Sequence, residues 1–400
     1  MTTHILDLGK RTWMARYEAE FTQVRQKIHQ HPELGYEEFQ TSDLVAEHLQ
    51  SWGYKVERGI GGTGLVAQIK LGQSPRRLGI RAEMDALALT EMTGLPYSSQ
   101  HPGVMHACGH DGHTTMLLFA ARYIAEHRQF DGTLNLIFQP AEEGGNGASR
   151  MMDDGLFERY PCDSVFGMHN LPGIPAGQLS FRNGAMLASA DEVSITLTGR
   201  GGHGAMPHLS IDTTVAAASI VMALQTVVSR NVDPIQSAVI SVGILHAGTA
   251  ANVIPETALI KLTVRTLDPA ARNLVEQRIR SLVQAQAESF NVRADIDYPP
   301  GYPVLMNAVA ETDFARSVAR TLVGPEGMIE SGVAVMAGED FAYMLARVPG
   351  CYLFIGNGTH IMEGGCSVHN PHYDFNDRLL SIGAAYWASL VEQFLPMTPR

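Results

Sequence analysis

Eight residues constrain this chain more than any others. His106-Ala107-Cys108-Gly109-His110-Asp111-Gly112-His113 brings a thiol, three imidazoles and a carboxylate into one short run. Imidazole nitrogen, thiolate sulfur and carboxylate oxygen together suit a borderline-soft divalent cation such as zinc or manganese. The run therefore reads as half of a metal site. Gly109 between Cys108 and His110 lets two side chains of a turn converge, whereas a continuous helix sends residues i and i+2 to different faces. Asp111 reads as the N-cap of a helix carrying Met116, Leu117, Ala120, Ala121 and Ile124.

A chain of 400 residues, 45% hydrophobic and 18% charged, has material for a large core and divides most economically into two domains. Its formal net charge of −12 argues against a nucleic-acid partner, because phosphate binding needs a basic surface. A small-molecule substrate is expected instead. The N-terminal twenty residues lack an apolar segment followed by a small-residue cleavage site. The longest apolar run, Val215 to Leu224 broken by Ser219, is too short to span a membrane. Cys108, Cys162, Cys351 and Cys366 show no disulfide-framework spacing, so a cytoplasmic protein is expected.

Trp13, Tyr17, Phe21, Val24 and Ile28 recur at helical spacing, and a second helix carries Leu44, Val45, His48, Leu49 and Trp52. Strands follow at Leu65-Ala67-Ile69, at Leu78-Ile80 running up to Asp85, and at Leu134-Leu136-Phe138. Helices fall between strands, which predicts an α/β fold with a mixed, substantially parallel sheet. From about 190 to 299 the order changes to β-α-β-β-α-β: a strand at Val193-Ile195-Leu197, a helix over 211–229, strands at 238–244 and 258–264, a helix over 270–289, and a strand ending near Tyr298. That is the split pattern of a ferredoxin-like α+β sandwich. The expectation is a discontinuous catalytic domain, 1–187 and 300–400, with an inserted domain over 188–299.

Strand ends of open α/β sheets are where sites assemble. Glu142 and Glu143 follow the Leu134–Phe138 strand, His169 follows Ser164-Val165-Phe166, and His369 and His372 lie beyond Leu353-Phe354-Ile355. An adjacent Glu-Glu pair can send one carboxylate to a metal and the other to a water. Cys108, His110, Glu143, His169 and a C-terminal histidine make five ligands, more than one mononuclear zinc site uses, so two ions sharing a water fit better.

The chain resembles the metallo-aminoacylase and carboxypeptidase superfamily called M20, in particular its amidohydrolase branch of hippurate hydrolases and indoleacetyl-amino-acid hydrolases. The resemblance is carried in order by Arg81-Ala82-Glu83-Met84-Asp85-Ala86-Leu87, the His106–His113 run, Gln139-Pro140-Ala141-Glu142-Glu143-Gly144, Met168-His169-Asn170, Gly201-Gly202-His203, Asn252-Val253-Ile254-Pro255, Gly338-Glu339-Asp340-Phe341 and His369-Asn370-Pro371. It implies a zinc-peptidase-like catalytic domain with a lid and dimerisation domain, and a homodimer or homotetramer formed through that lid. It further implies Cys108, His110, Glu143, His169 and His369 as ligands of two divalent ions, manganese or zinc before cobalt or nickel. Glu142 is then the general base and Asp85 an acid that orients the site. His369 ranks above His372 because the last ligand is similar to the first residue of a His-x-Pro triplet.

The implied reaction is hydrolysis of an N-acyl amino acid at its amide bond, with N-acetyl-amino-acid or N-acetyl-diaminopimelate deacetylation and small-dipeptide cleavage as alternatives. A bound ion lowers the pKa of water from about 15.7 toward ~7, within reach of Glu142. His203 is the candidate donor to the tetrahedral oxyanion, from its own subunit or a partner's. Asn252 and Arg265 are candidates to grip the substrate carboxylate, a guanidinium matching it bidentately. Gly59-Ile60-Gly61-Gly62-Thr63-Gly64 matches the dinucleotide-binding pattern Gly-x-Gly-x-x-Gly, but it leads into a strand, where that motif must open a helix. A protein of this fold that only binds metal or peptide has no need of a base such as Glu142.

Overall fold

The computed structural model describes residues 3–397, with side chains from residue 9 onward except at 362; positions 1–2 and 398–400 of the expected catalytic portion lie outside the described residues. The chain forms two compact units. One comprises Met1–Gly184, Met306–Val333 and Tyr343–Arg400; the other comprises Ala185–Leu305 and Ala334–Ala342.

In the first unit, helix α1 (Thr3–Gln30) turns Met14, Phe21 and Ile28 into the core, and α2 (Phe39–Ser51) does so with Val45, Ala46 and Leu49. Strands β1 (Lys55–Arg58) and β2 (Leu65–Leu71) form an antiparallel hairpin whose connection is the glycine run 59–64. The run therefore neither follows a parallel strand nor opens a helix, and it cannot act as a dinucleotide fingerprint. Strand β3 (Arg77–Glu83) leads to helix α3 (His110–His127), then to β4 (Gly132–Gln139) and β5 (Ser164–Pro172). A short strand, β6 (Leu179–Ser180), closes this part.

Helix α3 starts one residue earlier than its expected cap. Gly109 holds the N-cap position at φ 96°, and Asp111 lies inside the first turn, fully buried. A Cβ on Gly109 would stand 2.2 Å from Asn170 Oδ1, so both the backbone conformation and the space demand glycine. Asp111 is held instead by Arg25 Nη1 at 3.3 Å and His29 Nδ1 at 2.8 Å, both from α1. A buried carboxylate is stable where cations and hydrogen bonds face it, and here a helix from elsewhere supplies them.

The second unit begins with β7 (Ser189–Thr198) and the two-residue β8 (Gly202–His203), then α4 (Thr213–Asn231), β9 (Ala238–Ala247), β10 (Val253–Ile254), β11 (Thr257–Thr266), α5 (Pro269–Ser289) and β12 (Arg293–Asp297). The four long strands pair antiparallel in the order β9-β11-β7-β12, the ferredoxin-like arrangement that the sequence pattern predicts. Val193, Ile195 and Leu197 alternate inward on β7 and pack with Ile220 and Leu224 of α4 and Val275, Ile279 and Val283 of α5. Asp212 caps α4 by accepting from Thr214 and Val215, and Asp268 caps α5 ahead of Pro269. Among the described residues, α4 is long and apolar enough to cross a membrane by length and composition, but its Ala216, Ala217, Ile220, Leu224 and Val227 stripe is buried in this unit's core.

The chain then rejoins the first unit with α6 (Val309–Val323), β13 (Met328–Ile329), β14 (Gly350–Gly358) and α7 (Leu379–Phe394). The eight-stranded sheet runs β1-β2-β4-β3-β5-β14-β6-β13, with β4, β3, β5 and β14 mutually parallel in the centre. Their carboxyl ends open on one edge of the sheet, where crevices form in open α/β folds. Helices α1, α3 and α7 pack together over the sheet, with the Phe21 and Phe119 rings stacked at 4.1 Å.

Arg25 also reaches Asp374 at 3.2 Å and Asp377 at 2.7 Å, in the segment before α7. One fully buried guanidinium thus ties α1 to the first turn of α3 and to the chain beyond β14. Replacing Arg25 by Met leaves Asp111 with His29 alone; the expected loss is about 3 kcal/mol of stability, the low end for breaking a buried pair. A lowered urea-unfolding midpoint is the check, and an unchanged one would deny the pair this role.

Candidate metal centre

The five expected ligands come from four segments at the carboxyl edge of the central strands. Cys108 and His110 flank the Gly109 turn that opens α3, Glu143 lies just past β4, and His369 sits in the loop beyond β14. His169 lies within β5, paired with Phe354, and not beyond the strand end as its spacing suggests. Strand β5 runs six residues past the Ser164-Val165-Phe166 stretch, because its backbone stays paired with β14 as far as Pro172.

These side chains converge. Cys108 Sγ lies 3.2 Å from His169 Nε2, and His369 Nε2 lies 3.0 Å from Glu143 Oε1. Ligand atoms of Cys108, Glu143 and His369 lie within 4.8 Å of one another, and so do those of His110, Glu142 and Glu143. His369 adopts φ 62°, and its N–H donates to Ala107 O at 2.7 Å, which fixes the loop against the Cys108 turn. His372 is exposed and joins no such group; its N–H donates to Asn370 Oδ1.

Asp85 sits fully buried just past β3. Its Oδ2 accepts the Glu143 N–H at 2.8 Å, while its Oδ1 and carbonyl oxygen lie 3.2 and 2.9 Å from His110 Nδ1. His110 Nε2 is thereby turned toward the glutamates, buried and without a hydrogen-bond partner.

The sequence reading missed two members of this region. Glu83 and His113 join His110 and His169 in a group whose ligand atoms also lie within 4.8 Å. Glu83 pairs with Arg81 at 2.8 Å and faces His113 Nδ1 at 3.3 Å, and His113 Nε2 lies 2.7 Å from Asn170 Oδ1. The signal was present: residues two apart along an extended chain share a face, so Asp85 implied Glu83, and His113 belongs to the opening run itself.

The donor set has the electrostatics of a cation site. Burial, then the charges of Glu143 and Glu142, push the Cys108 thiol well above its usual range. Burial opposes a charged His110, yet the Asp85 hydrogen bond and charge outweigh it and raise this imidazole to about 10. His169 is driven the other way by burial and by His113. Three carboxylates around a thiol and a lone imidazole nitrogen are costly together unless a divalent ion neutralises them, and the thiol, imidazole and carboxylate mixture suits such an ion.

His203, Asn252 and Arg265 all lie on the second unit. His203 is exposed, and the β8–β10 pair sets it opposite Val253; the Gly204 N–H donates to Asn252 O at 2.7 Å, so His203 and Asn252 occupy one short ribbon. His203 Nδ1 accepts from the Ala205 N–H at 3.0 Å. Arg265 stands half-buried on β11 and donates from Nε to Thr263 Oγ1 at 3.2 Å.

The sequence profile of peptidase family M20/M25/M40 matches residues 79–393. The chain belongs to this family. It is 45% identical over 378 residues to a hippurate hydrolase of Campylobacter jejuni, covering 94% of this chain and 97% of that one. It is 38% identical over 379 residues to IAA-amino acid hydrolase ILR1-like 5 of Arabidopsis thaliana, covering 93% and 86% of the two chains. Among solved structures, a dinuclear metal-binding peptidase of family M20 from Bacillus subtilis superposes with a TM-score of 0.83 at 29% identity, over 96% of this chain and all of that one. The mixed α/β architecture is thus that of the M20 family.

Removing the Asp85 charge frees His110 and the Glu143 backbone together. Asp85→Asn is expected to weaken divalent-ion binding by about 10–100-fold, the range for outer partners of metal ligands. Calorimetric titration of the metal-free protein with Mn²⁺ checks this, and wild-type affinity in the variant would contradict it.

Proposed function

We propose that this M20 enzyme hydrolyses the amide bond of N-acyl amino acids, hippurate-like or indoleacetyl-amino-acid-like, releasing a carboxylic acid and a free amino acid. The observation that carries the reading is the Glu142–Glu143 turn, which sets a carboxylate beside Cys108 and His369 and another next to the orphaned His110 nitrogen. A binding protein has no use for the second carboxylate. In this reading Cys108, His110, Glu143, His169 and His369 hold two divalent ions, with manganese or zinc as the native metal. Bound ions would supply Lewis acidity, polarising the scissile carbonyl and acidifying water.

The chain's own residues do the rest. Glu142, largely buried, takes the proton of the attacking water and returns it to the departing amine nitrogen. Asp85 fixes the imidazole of His110 and the backbone of the glutamate turn. His203 donates to the oxyanion as charge develops there, while Asn252 and Arg265 hold the substrate carboxylate. We place the enzyme in the reducing cytoplasm, a reading supported by four unpaired cysteines.

We further propose a homodimer built on the second unit. Strand β9 is an edge of its sheet, with Val239, Ile244 and Leu245 exposed, and α4 exposes Val215 and Met222, the latter 72% accessible. An unpaired edge with apolar side chains is a template for a second copy.

Two experiments test these statements. With Mn²⁺ and a panel of hippurate, indoleacetyl-amino acids and acetyl-amino acids, the wild type is expected to turn over the first two classes, and Glu142→Gln to lose about 10²–10⁴ in kcat while still binding Mn²⁺. Equal activity of the two proteins would remove Glu142 as the base. In sedimentation experiments the wild type should run as a dimer and Ile244→Lys/Leu245→Glu as a monomer; a monomeric wild type would end the dimer proposal.

A further inference from the structure

Two sequence features remain outside the chemistry: the glycine hairpin 59–64 and the segment Pro32-Glu33-Leu34-Gly35-Tyr36-Glu37-Glu38 before α2. Both pack on the same small object, the turn from Pro140 to Gly145 that carries the glutamate pair. Ala141, immediately before Glu142, adopts φ 51° and is fully buried. A non-glycine residue in the left-handed region is strained and persists only where its surroundings over-determine it.

Those surroundings are specific. Glu38 occupies the N-cap position of α2, yet its carboxylate makes no cap; Glu33 does that work, accepting from the Gln40 and Thr41 N–H groups at 2.9 Å each. The Glu38 Oε1 instead accepts the Ala141 N–H at 2.8 Å, and its Oε2 accepts from Thr63 Oγ1 in the glycine hairpin. Glu38 is fully buried, and burial pushes its carboxyl up to about 7, against the Thr63 hydrogen bond.

The glycines pack close against the turn on this side. A Cβ on Gly35 would lie 2.9 Å from the Cβ of Ala141, and one on Gly64 would lie 2.7 Å from Pro140 Cδ. Tyr36 Oη donates to Gly145 O at 2.5 Å, closing the far end of the turn. The same segment grips the Asp85 side as well, where the Ala86 N–H donates to Glu33 O at 2.8 Å and Leu34 bridges Ala86.

We propose that Glu38 is a positioning residue for the Glu142–Glu143 pair, acting through the backbone of Ala141: its carboxylate, backed by Thr63 of the glycine hairpin, holds Ala141 in the left-handed conformation that presents both glutamates to the metal centre. The proposal rests on the reading of Glu143 as a ligand and Glu142 as the base. It gives the glycine run a role unrelated to nucleotides, as a close-packed wall behind a catalytic turn. Glutamine can accept from the Ala141 N–H in the same way, whereas alanine cannot.

The test uses the full chain freed of metal and titrated with Mn²⁺ alone, followed by hippurate turnover in excess Mn²⁺. Glu38→Ala should bind at least one Mn²⁺ about 10–100-fold more weakly, the scale for losing an outer partner of a ligand. Its kcat should fall at least tenfold, with KM changed less than threefold. Glu38→Gln should stay within about threefold of wild type in both readouts. Adding Ala141→Gly to Glu38→Ala should recover most of the Mn²⁺ affinity, because glycine takes the left-handed conformation without strain.

Unchanged Mn²⁺ binding in a folded Glu38→Ala protein overturns the proposal, and so does a failure of Ala141→Gly to restore it. Should Glu38→Ala not fold, Thr63→Val removes the hydroxyl that backs the Glu38 carboxylate; wild-type Mn²⁺ affinity and kcat there would overturn the proposal as well. A wild type that binds two Mn²⁺ but cleaves no N-acyl amino acid refutes the substrate reading and leaves the Mn²⁺ comparison decisive for Glu38.

Discussion

One buried carboxylate, Asp85, holds the centre together. Through one oxygen it grips the backbone of the segment that follows β4, and through the other it orients the imidazole that opens α3. Asp85 follows β3 and Glu143 follows its parallel neighbour β4, so the carboxylate ties the glutamate turn to the turn that opens α3, the two places where the candidate ligands cluster. Burial raises the cost of its charge, and the hydrogen bonds from His110 and from the Glu143 and Glu142 backbone outweigh that cost, leaving it ionised below the usual carboxylate range. An ionised group at this depth is a rigid one, since each of its oxygens is already committed.

Around it the structure separates charge by function. On the α1 side of α3, Arg25 and His29 face Asp111, Asp374 and Asp377, and each of these carboxylates has a cation within 3.3 Å. On the other side of the same turn burial and the crowding of Glu143 and Glu142 hold the Cys108 thiol in its protonated form, while Asp85 is met by His110. Neighbouring residues His110 and Asp111 face these two worlds, one toward a site that asks for a cation and one toward a site that already has its own. That division explains why a density of ionisable groups unaffordable in an ordinary core is tolerable here.

The sequence made much of this visible. The ligand run, the glutamate pair and His369 carry their chemistry in residue type, and the β-α-β-β-α-β order of the second unit follows from period alone. What stayed hidden depends on distance along the chain. His169 looks like a strand-end residue because the continuous apolar run breaks at Gly167, while the strand itself continues through backbone pairing with β14, a segment far along the chain that no local pattern reveals. Asp111 looks like a cap until Arg25, 86 residues earlier, claims it. Glu38 has the position of a helix cap and the partners of something else, 103 residues away at Ala141. Glu83 was within reach of reasoning by strand alternation, and its neighbour Asp85 drew the eye instead.

The Arg25 knot also dictates a timetable. Its partner Asp377 lies 352 residues downstream, past the last histidine of the ligand set. A nascent chain that ends before residue 369 lacks both the Asp377 anchor and the last candidate ligand, His369, since domains take shape in the order of synthesis. A product cut short before that point therefore carries an incomplete set of candidate metal ligands.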